Sequence, residues 1–205
     1  MEHATFIKAE NWHGSYYELC IELGASGHDH RLLAALQRLW SFPTLGGPWR
    51  EHDEFGADPY EVTIAGVSDR FYGTLAIPDA DTVGCLTCVV REPDGSVWLD
   101  LCIPTGMLEL VYDVQYPLYF ESNPWIPPLN SLFVDIANHF HAEIGFRLAI
   151  IGEESSGLTD ADSITKPDLD RGLFLLPETL ATSLSVQDQS QMCSQGLYRI
   201  GKTGG

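Results

Sequence analysis

Basic side chains are what this chain has least of: 11 Lys and Arg stand against 29 Asp and Glu, a net charge of −18 over 205 residues. Nucleic acid is excluded as a ligand on that ground, because phosphate contacts need a basic footprint. Such a charge favours a basic protein partner or serves solubility alone. Long apolar runs are missing too. No stretch suffices to span a bilayer, and Met1 to Glu10 lacks the basic and apolar regions of a secretory leader, so a cytoplasmic protein with no membrane contact is expected. Cysteine is scarce as well. Five residues, odd in number and irregularly spaced, fit buried thiols in a reducing compartment rather than a disulfide framework.

What is present suffices for a sizeable core. A chain of 205 residues lies in the range of one domain, and a globule of that size buries about 70% of its unfolded surface. The strongest local signal is Val83 to Ile103, a β-hairpin turning at Glu92, Pro93, Asp94 and Gly95. Pro presets the first corner, Asp suits the second, and Gly accepts the left-handed conformation that follows. A type I turn closed by a bulge at Gly95 sets Glu92 opposite Ser96 and pairs Val90 with Trp98, Cys88 with Asp100 and Leu86 with Cys102. One face then carries Val97, Leu99, Leu101 and Ile103 with Val89, Thr87 and Cys85. The other carries Trp98, Cys102, Val90, Cys88 and Leu86 with one charge, Asp100, and its low polarity implies interior strands covered on both sides.

Elsewhere the periodicity alternates between two and 3.6. Tyr17, Leu19, Ile21 and Leu23 alternate with Tyr16, Glu18, Cys20 and Glu22, the pattern of a strand with one wet face. Asp29 caps a helix with Leu32, Leu33, Leu36, Leu39 and Trp40 on one arc, ending before Pro43. Thr44 to Tyr60 reads as a long loop. Glu61 to Ala65 and Arg70 to Ile77 read as strands leading into the hairpin, and Tyr116 to Phe120 as an edge strand. Pro127 and Pro128 open a second helix, through about Ile144, whose face of Leu129, Leu132, Phe133, Ile136 and Phe140 packs on the sheet. Phe146 to Ile151 and Gly172 to Leu176 complete the strands, with a short helix from Glu178.

The expected fold is α+β: a single domain over residues 1–186, a mainly antiparallel sheet of about five to six strands, and two main amphipathic helices packed on it. Residues 187–205 read as a polar, flexible C-terminal tail.

Motifs of chemistry are mostly incomplete. Gly196 to Thr203 spells a phosphate-binding P-loop, but too few residues follow to form the helix on which phosphate sits. Cys85 and Cys88 form a CxxC whose sulfurs, three residues apart on a strand, point to opposite faces. Asp160 and Asp162 open like a calcium loop, but Ile164, Thr165 and Arg171 stand where its later ligands and glycine belong. Ser155 and Ser156 lack the glycines of a nucleophile turn. The pair His28 and His30 lies at a helix start explained by Asp29. No metal and no cofactor is implied.

Two constellations remain. On the second helix Asp135, His139 and Glu143 form a row that drifts onto the apolar arc, while His141 points elsewhere. With Asp100, His139 and Glu143 offer the parts of a small hydrolytic or metal-assisted enzyme. The other is the loop in which Trp49, Phe55 and Tyr60 alternate with Glu51, Asp53, Glu54 and Asp58, to which Glu153 and Glu154 add charge. Aromatics supply contact area and carboxylates steer a basic partner. With no complete catalytic signature, the leading expectation is a non-catalytic acidic binding protein of the inhibitor or immunity type.

Overall fold

A computed structural model describes residues 2–25, 29–63, 70–93, 95–194 and 196–201. The strands are β1 (Tyr16–Ala25), β2 (Leu45–Trp49), β3 (Arg70–Ala76), β4 (Thr82–Arg91), β5 (Ser96–Pro104), β6 (Leu148–Glu153), β7 (Leu173–Pro177), β8 (Gln191–Ser194) and β9 (Leu197–Gly201). They form one sheet in the order β2-β3-β4-β5-β1-β6-β7-β9-β8, antiparallel at every ladder. The helices are α1 (His3–Phe6), α2 (Asp29–Trp40), α3 (Thr105–Leu108), α4 (Ile126–His141) and α5 (Glu178–Ser183). The class is α+β, in a single fold. Among the described residues no helix is long and apolar enough to cross a membrane.

The hairpin takes the register its turn dictates. Val90 faces Trp98, Cys88 faces Asp100 and Leu86 faces Cys102. The Glu92 amide donates to the Ser96 carbonyl at 2.9 Å and the Gly95 amide to the Glu92 carbonyl at 3.0 Å, with Gly95 at φ +89°. A side chain there would be strained, so Gly95 sets where the strands begin and hence every pair beyond. Both faces of β5 are buried throughout. The hairpin is not the centre of the sheet, however. That place belongs to β1, which pairs β5 on one side and β6 on the other.

Among the described residues the sheet has nine strands, not the five or six expected. β2 carries Gly-Gly-Pro and no alternation, so it hides in what reads as a loop. β8 and β9 lie in the segment read as a tail. Leu197 is buried against the main core and Tyr198 and Ile200 pack on the opposite face, apolar contacts too few to register as a pattern. The expected strand at Tyr116 to Phe120 is instead a turn segment with Tyr116 and Tyr119 exposed. Glu61 to Thr63 joins no ladder among the described residues, and the rest of that expected strand lies outside them.

The two long helices, α2 and α4, cover one face. Leu129, Leu132, Phe133, Ile136 and Phe140 of α4, with Leu32, Leu36, Leu39 and Trp40 of α2, join Leu19, Ile21, Leu99, Leu101 and Ile103 in the main core. The opposite face holds a second core. There Cys20, Trp98, Leu148, Ile150, Phe174 and Leu176 are covered by Ile164, Leu169, Ala181 and Val186 from loops and α5.

Candidate functional site

The second face of the sheet concentrates the reactive side chains, and strand register explains how. Cross-strand partners run Arg70, Cys88, Asp100, Cys20 and Ile150 in one row across β3, β4, β5, β1 and β6. The next row runs Tyr72, Leu86, Cys102, Glu18 and Gly152. A third sets Val90, Trp98, Glu22 and Leu148 in line. Three carboxylates, three thiols and a guanidinium thus share one surface of five adjacent strands. The row that reads as the wet side of β1 is dry: Glu18, Cys20 and Glu22 are 4%, 0% and 1% exposed.

An irregular segment after β6 makes that burial tolerable. The chain doubles back at Glu154, which stands at φ +47°. Its carboxylate accepts the Tyr16 amide at 2.8 Å while its own amide donates to the Tyr16 carbonyl at 3.0 Å. Ser156 then reaches two acids, its amide donating to Glu18 Oε1 at 2.7 Å and its hydroxyl to Asp100 Oδ2 at 3.1 Å. Gly152 leaves room for this return, since a side-chain carbon there would lie 2.7 Å from Ser155 Oγ. Further along, the Ala161 amide donates to Glu22 Oε2 at 2.7 Å, and Arg147 pairs with Glu22 Oε1 at 3.0 Å and with Asp162.

The three acids are not equally served. Glu18 adds the Cys102 thiol at 3.6 Å to its amide donor. Asp100 is 2% exposed, and its Oδ1 has no hydrogen-bond partner among the described residues. Burial, reinforced by the nearby Glu18 charge, pushes the Asp100 carboxyl up to about 7. Burial raises Glu18 and Glu22 as well, against the pull of the donated amides. Cys88 moves the other way. A hydrogen bond from the Cys102 thiol and the Arg70 guanidinium bring it down to about 7 against partial burial. Cys85, alone in the apolar core on the other face, is driven up by burial. The CxxC is therefore split across the sheet as strand geometry requires.

His139, Glu143 and Asp100 do not converge. Asp100 points away from the face that α4 covers, and what lies over it is Ser156. His139 sits at the edge of α4, with Nε2 3.2 Å from Ser41 Oγ and its ring edge-on to Phe42. Glu143, past the helix end, is 61% exposed and pairs with Arg38 at 2.8 Å. The triad fails because a residue's place on a helix wheel does not say which face of the sheet the helix covers. His28 lies outside the described residues, as do Lys202 and Thr203 of the P-loop lettering, whose earlier residues run along β9.

The acidic loop has its aromatics turned inward. Trp49 is buried and donates its ring N–H to the Ala57 carbonyl at 3.1 Å. Phe55 stacks on Phe6 and meets Trp49 edge-on, and Tyr60 stacks on Phe71 beneath Arg50. Glu51 and Glu54 close a capping box on the turn His52–Glu54, and Glu51, Asp53, Glu54 and Asp58 are exposed. Glu153 and Glu154 instead tie down the start of β1, Glu153 through Ser15 Oγ at 2.7 Å and Glu154 through the Tyr16 amide.

Sequence reasoning missed Glu18 and Ser156 as neighbours of Asp100, and Arg70 as the neighbour of Cys88. The hairpin register already set Cys88 and Cys102 diagonally across from each other. Glu18 would have followed from β1 pairing with β5, which no local signal announces. Comparison with family models, curated proteins and solved structures finds no match to this chain.

Proposed function

We propose that the protein is a non-catalytic binding protein that engages a basic protein partner through its acidic surface, in the manner of an inhibitor or immunity protein. The observation that supports this reading is the construction of the loop from Trp49 to Tyr60. Three rings anchor it from within, and Glu51, Asp53, Glu54 and Asp58 face water, followed by exposed Glu61. A loop held this way loses little conformational freedom on docking, and its charges steer a cationic surface toward it.

The test is a calorimetric titration against a panel of small basic proteins at several salt concentrations. Affinity should fall as salt rises. Neutralising Asp53, Asp58 and Glu61 together should weaken the complex about tenfold more than neutralising the exposed Glu92, Glu121 and Asp135, which lie elsewhere in the sequence. Equal losses from the two triple variants, or no salt-sensitive complex at all, would refute the reading.

A further inference from the structure

A cleft of 260 Å³ opens between the first turns of α4, the turn segment 118–120, the start of β1, the end of β6 and the residues leading into β7. It lies just below the range of about 300–1,000 Å³ that takes drug-sized ligands, so it suits a smaller molecule. Ile126, Ile151, Leu173 and Phe120 give it apolar walls. Asn130, 4% exposed, lines it too. Its Oδ1 accepts the Tyr17 phenol at 2.6 Å, and its Nδ2 donates to no described residue. Burial raises the Tyr17 phenol, which therefore keeps its proton and is the donor in that bond. The two N–H groups of the Asn130 side chain are left for the cleft, and a buried donor of this kind demands an acceptor.

Two opposite charges line the same cleft without meeting. Beyond the last pair of β6 with β7, Ile151 with Leu173, come Glu153 on one segment and Arg171 on the other. Among the described residues the one ion pair of Arg171 is with Asp168, at 3.6 Å, and the one hydrogen bond of the Glu153 side chain comes from Ser15 Oγ, at 2.7 Å. Asp170 adds a second carboxylate.

We propose that this cleft binds a free α-amino acid with an apolar side chain. Its carboxylate takes the Asn130 side-chain amide and the Arg171 guanidinium, its ammonium takes Glu153, and its side chain lies against the apolar walls. Charge decides against the simpler ligands. An anion would meet Glu153, Asp170 and a chain of net charge −18. A cation, a Lys or Arg side chain of a protein included, would meet Arg171 and leave the Asn130 donor unpaired. Either end of a peptide carries one of the two charges and lacks the other. A zwitterion satisfies all three groups at once.

Titration of the full chain with leucine, isoleucine, methionine and phenylalanine at neutral pH, followed by amide NMR, tests this. At least one should bind saturably below about 10 mM and shift the side-chain NH₂ signals of Asn130. Its N-acetyl derivative, which lacks the ammonium, and its carboxamide, which lacks the carboxylate, should each bind about tenfold more weakly. Arg171→Gln and Glu153→Gln, both at exposed positions, should each weaken binding about tenfold as well, while Glu92→Gln, also exposed, should leave it unchanged. No saturation by any of the four amino acids overturns the proposal. Equal affinity for either derivative, or in either cleft variant, overturns it too. The titrations of the unmodified chain decide this even if a variant does not fold.

Discussion

The two faces of the sheet are covered by different kinds of structure, and the difference follows from what each face carries. Leu19, Ile21, Leu99 and Leu101 present only hydrocarbon, and the helices α2 and α4 lie across them. On the other side Glu18, Glu22 and Asp100 would leave carboxylates against a helix whose N–H groups, beyond its first turn, are already used. An irregular segment still has free amides. Those of Ser156 and Ala161 go to Glu18 and Glu22. A buried acid therefore selects for loop cover, because only loop cover supplies backbone donors where the carboxylate lies.

The largest expected effect tests the helical face. Phe133→Ala removes a fully buried ring from α4 and should cost about 3–5 kcal/mol in urea denaturation, chiefly as cavity and lost transfer energy. On the loop-covered face the sign should reverse at Asp100. Its carboxyl ionises at about 3.9 when unfolded but holds its proton up to about 7 when folded. Between those values the folded state binds the extra proton, so stability falls as pH rises through the window, and the penalty persists in full above it. Asp100→Asn should therefore be more stable than the parent by on the order of 2–4 kcal/mol at about pH 8, and nearly equal to it at about pH 4. A variant that is less stable at both would show that the acid is held by donors rather than tolerated.

Smaller effects sharpen the contrast. Arg147→Gln strips Glu22 of its cation. It should cost about 1–2 kcal/mol at neutral pH, an amount reduced because the Arg147 side chain is 38% exposed, and less in acid once Glu22 is protonated. Ser156→Ala removes the one hydroxyl on Asp100 and should cost about 1 kcal/mol, with the difference vanishing in an Asp100→Ala/Ser156→Ala double-mutant cycle if that bond is all it provides. His139→Ala, at a half-buried edge of α4, should change stability by no more than about 0.5 kcal/mol. A larger loss there would mean that the helix edge is structural.

Local chemistry was legible wherever neighbours in sequence are neighbours in space. The hairpin register, the split of Cys85 from Cys88, the apolar arcs of α2 and α4 and the α+β class all depend on turn geometry or on periods of two and 3.6, which a short window contains. The edges were less so: β2 with its Gly-Gly-Pro and β8 with four largely polar residues have little apolar surface to alternate. The site was legible only in halves. Asp100, Cys88 and Cys102 could be set together from the hairpin, and Glu18, Cys20 and Glu22 formed their own row on β1. Joining the halves required the pairing of β1 with β5, a contact between residues some eighty positions apart. Non-local strand pairing leaves no local mark, since the hydrogen bonds it makes come from backbone groups that every residue shares. The tertiary structure alone therefore decided that the seemingly wet side of β1 is buried. It decided, too, that Ser156 rather than the helix carrying His139 and Glu143 lies over Asp100.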